Sequence, residues 1–469
     1  MNETAAVRWR DFLAPAYLPR AALILLGIWL NAADGLVTVT LMPSVVRDLG
    51  GTAYYGWAVA FFLTASILAG ASAGQVSQRL GLRNATVVAA LAYTAGCIAS
   101  ASAVGIAGFL LGRALQGVGA GWIVGFCYVA IEATFPEPMW ARLFAAAAGA
   151  WGIASIAGPL VGGVFAGGGS WRGAFWMFAA QGVVFAIASC FLLGGRPPSE
   201  EKPPPMAWRT LATLTLSVGL IAGANITHGV LASWSLLAAG TLTFFLTLAV
   251  NQSAGERLLP RDAARPWTVS GAGYAMIFAL EVGTVGLNVY QAAILQTVYG
   301  VSPLLAGYVV CAMAMGWTAA AFTVAGAPER RHSVLIVSGA GVILVGYLGL
   351  SVTIARAALG WVALSSLVTG SGFGMAWSLL TRRIVSGLPE SDRTLGASAI
   401  PTTQLMGGAI GAAAAGSLAN MLGLSRDFSA RQAEASAPIL FAAFLPFVIL
   451  GGAAALRVVR ASPEHRSVG

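Results

Sequence analysis

The chain has 469 residues and a formal net charge of +9; it is 58% hydrophobic and only 9% charged. Soluble domains carry roughly 25% charged residues, so this composition excludes a soluble globular core. The apolar residues fall in runs of about 20, the length that crosses a bilayer as helix, and the fold class they imply is an all-α polytopic membrane protein in a lipid bilayer.

The first stretch, "MNETAAVRWRDFLAPAYLPR", is polar and basic, and the apolar run after it is long enough to span and stay, so no cleavable signal peptide is expected. Fourteen transmembrane helices are predicted, at 21–43, 54–76, 85–103, 105–131, 141–166, 174–195, 209–227, 230–250, 267–294, 304–325, 333–354, 358–381, 395–420 and 437–456. Of the 26 Lys and Arg, Arg113 lies within a span, Arg47, Arg172, Arg356, Arg426 and Arg431 fall on one side, and the rest share the side of the termini. Lys and Arg favour the cytoplasmic side. Both termini are therefore expected in the cytoplasm. The positive charge reports topology, and no nucleic-acid partner is implied.

In the first helix, Asp34 is the only ionisable side chain between Ala21 and Val46. An Asp at a helix centre costs about 2.5–3.5 kcal/mol on insertion scales, and removal from water favours a carboxyl's neutral form, so a proton can discharge it. Asn31, Asp34 and Thr38 share one helix face. Such a polar stripe should face a bundle interior or an aqueous cavity. In the fourth helix, Arg113 cannot shed its charge and stands as a fixed cation near the acids, with Gln116 one turn on. Gly117, Gly121 and Gly125 repeat at every fourth position, a pattern that admits a neighbouring helix closely. In the fifth helix, Pro159 removes a backbone donor among the small residues Gly158, Gly162 and Gly163.

"GRPPSEEKPPP" (194–204) and "NQSAGERLLPRDAARP" (251–266) read as linkers around a two-helix hairpin. The predicted organisation is a six-helix bundle (1–195), a linker with two extra spans (196–265) and a second six-helix bundle (266–469). In the ninth helix Glu281 stands at nearly the depth of Asp34 in the first, and Glu281, Thr284, Asn288 and Gln291 share a face. Duplicated halves with a midplane site between them are common in secondary transporters. Whether Glu281 carries a proton or binds substrate stays open, and a buried, hydrogen-bonded structural group or an ion pair with Arg113 is the competing reading for either acid. Asn31, Thr38, Gln116, Thr284, Asn288 and Gln291 are candidate cavity hydrogen-bonders. Trp151 and Trp317 are candidate stacking platforms, with core packing or lipid contact as the competing reading. The four cysteines and three histidines form no metal-ligand spacing or disulfide framework, and no nucleotide loop or catalytic trio is present. No enzyme, metal or cofactor is expected.

Three stretches resemble the signatures of the major facilitator superfamily. "GQVSQRLGLRN" (74–84) is similar to its cytoplasmic loop motif through Gly74, Arg79, Gly81 and Arg83, with Gln78 where an Asp is usual and Leu82 where a basic residue is usual. "LLGRALQGVGAG" resembles the fourth-helix motif through Arg113, Gln116, Gly117 and Gly119. "GPLVGG" resembles the fifth-helix antiporter motif through Gly158, Pro159, Gly162 and Gly163, with Ala154 replacing a usual Gly. "SWRGAFWMF", "LLP" (258–260), "LQTVYGVSPLLAGY" and "GASAIPTTQLMGGAIG" resemble the 14-helix drug/proton antiporter branch, as does the Asp34–Pro43 spacing, although Leu36 replaces a usual Thr.

The resemblance implies the major facilitator fold, two pseudo-symmetric six-helix bundles plus the insert. It also implies a proton-coupled exporter of small hydrophobic or cationic substrates, monomeric, in a bacterial cytoplasmic (inner) membrane. Asp34, Glu281 and Arg113 would couple protons. The loop motif would help close the cytoplasmic side, with Glu132 pairing Arg79 or Arg83. The counterpart loop "AGAPERRHS" in the second half departs further from the motif. A lipid or metabolite exporter of the same superfamily is the second reading, and a non-transporting receptor or scaffold the third.

Overall fold

The computed structural model describes residues 14–461 except 16, 195–206, 225–226, 228–229, 254, 256, 325–326, 357, 390–391 and 425–427. Every regular element among them is helical. The first half holds α1 (Leu18–Leu49), α2 (Trp57–Leu80), α3 (Leu82–Ala101), α4 (Ile106–Thr134), α5 (Glu137–Gly167) and α6 (Trp171–Leu192). An inserted pair follows, α7 (Trp208–Gly223) and α8 (Val230–Ser253). The second half holds α9 (Val269–Tyr299), α10 (Pro303–Val324), α11 (His332–Thr353), α12 (Leu359–Ser386), α13 (Arg393–Met421), α14 (Ala430–Ala442) and α15 (Leu445–Arg460). α14 and α15 are two pieces of one bent segment, so the helices group into fourteen, the number predicted.

Twelve of the described segments are long and apolar enough to cross a membrane. α7, with 16 residues, is shorter than those spans, and α13, rich in small and polar residues, is not among the twelve. α1 runs on to Leu49, past the apolar limit at 43, because the helix continues through the polar residues Arg47 and Asp48.

Glycine sets how close the helices approach. On α4 a Cβ at Gly117 would lie 2.3 Å from the Phe62 carbonyl oxygen, and one at Gly121 would lie 2.3 Å from that of Ser66. The repeat therefore seats α2 against α4, and Ser66 Oγ donates to the Gly117 carbonyl at 3.0 Å. At Gly81 the backbone has φ 74°, a left-handed turn that joins α2 to α3 through a single residue and that an L side chain would resist. This is the physical content of one glycine in the loop motif.

The two halves meet along α5 with α10 and α2 with α13, while α7 lies against α13 and α2. Ser417 of α13 donates to the Ile221 carbonyl, and Ser217 of α7 donates to that of Gly240 in α8, which ties the inserted hairpin to the second half. Asn251 closes the second linker: its amide donates to the Leu259 carbonyl, and its carbonyl accepts from the amides of Leu258 and Leu259. The "LLP" stretch is thus a folded connector.

At the face remote from the termini, Trp171 Nε1 donates to Asp48 Oδ2 at 3.1 Å, and Arg172 is ion-paired with Asp48 and donates to the Ala103 carbonyl. "SWRG" thus fastens α6 to the end of α1 and to the α3–α4 loop. On the other face, Arg382 pairs with Glu329 and Arg383 donates to Ser333 Oγ at 2.9 Å. The loop that departs furthest from its motif still carries an ionic tie to α12.

Candidate functional site

Asp34 lies midway along α1, fully buried, because α4 packs over its polar face. Arg113 Nη1 donates to Asp34 Oδ1 at 2.8 Å, Thr38 Oγ1 donates to the same oxygen at 3.2 Å, and Gln116 Nε2 donates to Oδ2 at 3.2 Å. Arg113 is only 1% exposed; it also donates to Gln116 Oε1 at 3.1 Å and lies over the Phe62 ring at 4.4 Å. Behind Gln116, Ser100 Oγ donates to its carbonyl at 2.9 Å, and its amide reaches Cys97 Sγ at 3.1 Å. The result is one hydrogen-bonded network across α1, α3 and α4. Asn31, on the same stripe, is half-buried.

Glu281 occupies the matching place in α9 but in a different setting. It is half-buried, and its carboxyl interacts with Gln404 of α13. α13 comes close because of Gly407, where a Cβ would lie 2.8 Å from that of Glu281. Among the described residues the ion pairs are Arg113–Asp34, Arg172–Asp48, Arg265–Asp262 and Arg382–Glu329, so no described cation is paired with Glu281.

The rest of the polar face of α9 is divided. Thr284 is buried and donates to the Leu280 carbonyl of its own helix. Gln291 is buried and donates to Ser366 of α12 at 2.8 Å, inside the second half. Asn288 is half-buried. Trp317 stacks on Phe373, with centroids 5.0 Å apart, and lies against Trp377. Trp151 on α5 is 43% exposed. The structure thus gathers Asp34, Thr38, Arg113 and Gln116 into one cluster and leaves Glu281, Gln291, Trp151 and Trp317 in separate places.

The antiporter-like motif splits between two partners. Gly158 and Gly162 face α1, where Cβ atoms would lie 2.7 Å from that of Leu36 and 2.8 Å from that of Thr40. Pro159 and Gly163 face α10, against Gly307 and Leu304. In the loop motif Arg79 and Arg83 are exposed. The side chains of Gln78 and Glu132 lie outside the described residues, as does any pairing of Glu132.

Sequence reasoning missed Gln404, Ser100 and Cys97. Each is a single polar or thiol group in a small-residue helix, without a periodic partner to mark it.

The sequence pattern of the Major Facilitator Superfamily matches residues 24–412. The chain belongs to this superfamily. Among its relatives are a probable multidrug-efflux transporter of Mycobacterium tuberculosis, 28% identical over 438 residues (90% of this chain, 92% of that protein), and multidrug resistance protein 3 of Bacillus subtilis, 23% identical over 378 residues (79% and 73%). The facilitator fold recurs in a D-xylose–proton symporter, with a TM-score of 0.66 at 18% identity over 96% of this chain and 98% of that one. It recurs also in a bacterial homologue of the human lysosomal transporter Spinster, with a TM-score of 0.66 at 13% identity over 96% and 98%. The superfamily is one of transporters, in keeping with the integral membrane architecture of this facilitator.

Proposed function

We propose that this facilitator is a proton-coupled exporter of small hydrophobic or cationic molecules, working as a monomer by alternating access in a bacterial cytoplasmic membrane with both termini inside. The observation that carries this reading is the sealed Asp34–Arg113 pair. A buried pair of opposite charges is tolerable only while both partners are met, and removing one leaves an uncompensated charge. A proton arriving on Asp34 frees Arg113 and Gln116 from the carboxylate. The α1–α4 contact then has two arrangements, one for each state of the acid, and proton arrival becomes linked to helix position. Glu281, which interacts with Gln404 and with no described cation, is the partner acid in the other half.

Substrate occupies the space between bundles 1–195 and 266–469, with Asn31, Asn288, Trp151 and Trp317 available to it, while residues 196–265 supply the insert. Arg79 and Arg83, with Glu132, latch the cytoplasmic side. The relatives named for multidrug efflux support export as the direction. Purified protein in proteoliposomes carrying an internal pH dye tests the proposal with a panel of lipophilic cations and neutral drugs. Proton movement triggered by a transported compound is expected; substrate flux without proton flux would overturn the coupling.

A further inference from the structure

Pro159 lies inside α5. A proline in a helix interior lacks the N–H that would bond the carbonyl four residues back and crowds that carbonyl. The carbonyl deprived of its donor is that of Ser155. The Ser155 hydroxyl does not turn back to it, since Oγ donates instead to the Trp151 carbonyl at 2.9 Å. A donor comes from the opposite half of the molecule: Cys311 Sγ of α10 lies 3.5 Å from the Ser155 carbonyl oxygen and 3.3 Å from that of Ile156.

The rest of the seam is built to bring that thiol there. Leu304, Gly307 and Cys311 follow one stripe of α10, and residues 155–156, 159 and 163 follow one stripe of α5. A Cβ on Gly307 would stand 2.6 Å from the Pro159 carbonyl oxygen, and one on Gly163 would stand 2.5 Å from Leu304 Cα. Backbone meets backbone, and the thiol is 2% exposed at the inner end of the contact. One turn and more towards the termini, Met315 on α10 and Trp151 on α5 are 53% and 43% exposed.

We propose that Cys311 is a positioning residue of the transport cycle: its thiol completes the break at Pro159 across the two halves, so the bond forms when the seam is closed at the face remote from the termini and is lost when that face opens. This rests on the alternating-access reading, but not on proton coupling or on any substrate. In the closed arrangement α5 has its orphan carbonyl satisfied by α10. In the open one the carbonyl is released to water or to a relaxed α5. The proline therefore ties helix bending to the separation of the bundles.

Hydrogen–deuterium exchange of the detergent-purified chain tests this on peptides covering 151–163 and 303–312. Cys311→Ala removes the donor and should speed exchange in both peptides about two- to fivefold, in line with the modest net worth of one hydrogen bond. Cys311→Ser keeps a donor and should exchange no faster than wild type. Equal behaviour of Ala and Ser, or no change in either, would overturn the proposal. Alkylation of Cys311 by N-ethylmaleimide, followed by peptide mass spectrometry in the otherwise native chain, gives a second readout. Gly163→Val should wedge the seam and raise that rate at least about tenfold, and Gly307→Ala does so more gently if the valine variant does not fold. An unchanged rate in a folded wedge variant would also overturn it. A carrier that proved not to move protons would leave both readouts as expected.

Discussion

Asp34 and Arg113, 79 residues apart in sequence, face each other at 2.8 Å in a place where neither is exposed beyond 1%. On the proposed proton-coupled cycle, a fixed cation and a titratable acid in this relation would make the acid's state a mechanical variable. Asp34→Asn keeps the size and two of the polar contacts but cannot cycle between charged and neutral. It should fold, exchange substrate downhill and fail to accumulate substrate against a gradient. Either single change strands a buried partner: Asp34→Asn leaves Arg113, which cannot shed its charge, and should cost about 3–5 kcal/mol of stability, while Arg113→Ala should cost less because the carboxyl left behind can take up a proton. Joining Asp34→Asn to Arg113→Gln should recover much of the first loss. Proton-coupled transport measured beside melting temperature decides the matter. An Asp34→Asn protein that still pumps uphill with wild-type proton flux would defeat the coupling role.

Glu281 differs in having an amide, Gln404, where Asp34 has an arginine. As the partner acid it should contribute to the ratio of protons moved per substrate. Glu281→Gln is expected to lower that ratio while neutral substrates still exchange. Gln404→Ala should reproduce part of this change, with KM shifting by about ten- to hundredfold, the scale of one charge-assisted hydrogen bond. If Glu281→Gln leaves proton flux intact and raises KM for cationic substrates alone, Glu281 is a binding residue.

Fourteen helices were legible because membrane helices must satisfy their backbones internally and so announce themselves as apolar runs. The depth of Asp34, Arg113 and Glu281 was legible for the same reason, since a charge in such a run has no other explanation than function or pairing. Which charges pair was not. That depends on the rotation of α4 about its axis, fixed by Gly117 and Gly121 against α2, and no linear pattern encodes the partner. Gln291 shares a helical face with Glu281 in sequence, yet α12 takes its amide through Ser366. Gln404 went unnoticed because α13 is a run of small residues whose register against α9 is set by packing alone. Cys311 read as one apolar residue among many; its meaning requires knowing that Pro159 lies opposite.

The inserted hairpin should cross the membrane twice. Its turn, around His228 and Gly229, lies outside the described residues, but α7 and α8 run antiparallel and are tied together at Ser217. A cysteine placed at 228 in a background lacking the native four should react with an impermeant maleimide added outside whole cells. Reaction only after the inner surface is exposed would sink the 14-span topology, while the termini would keep their side, since removing two spans preserves parity.

The remaining closure at the face away from the termini is aromatic. The Tyr55 ring, just before α2, stacks on Tyr290 of α9 at 5.1 Å and on Phe428 at 6.4 Å, and beside it Asn420 donates to the Ala53 carbonyl at 2.7 Å. All three contacts bridge the two halves. The Tyr55 hydroxyl is buried with no hydrogen-bond partner among the described residues, and leaving such a group unmet costs about 1–3 kcal/mol. The latch therefore holds by its rings and is weakened by its oxygen. Tyr55→Phe should tighten it, whereas Tyr55→Ala removes a stack worth about 0.5–1.5 kcal/mol beyond its area and should favour opening roughly two- to tenfold. Asn420→Ala should add to the alanine effect, because the Ala53 carbonyl then loses its donor. Spin labels at the exposed residues Arg47 and Arg431, one in each half on this face, report the populations by double electron–electron resonance in a background without the native cysteines. A longer distance gaining population in Tyr55→Ala, and losing it in Tyr55→Phe, is the expected pair of results. Tyr55→Phe shifting the population towards the open form would mean that the hydroxyl has a partner in the closed state and that the oxygen, not the ring stack, is what holds this face shut.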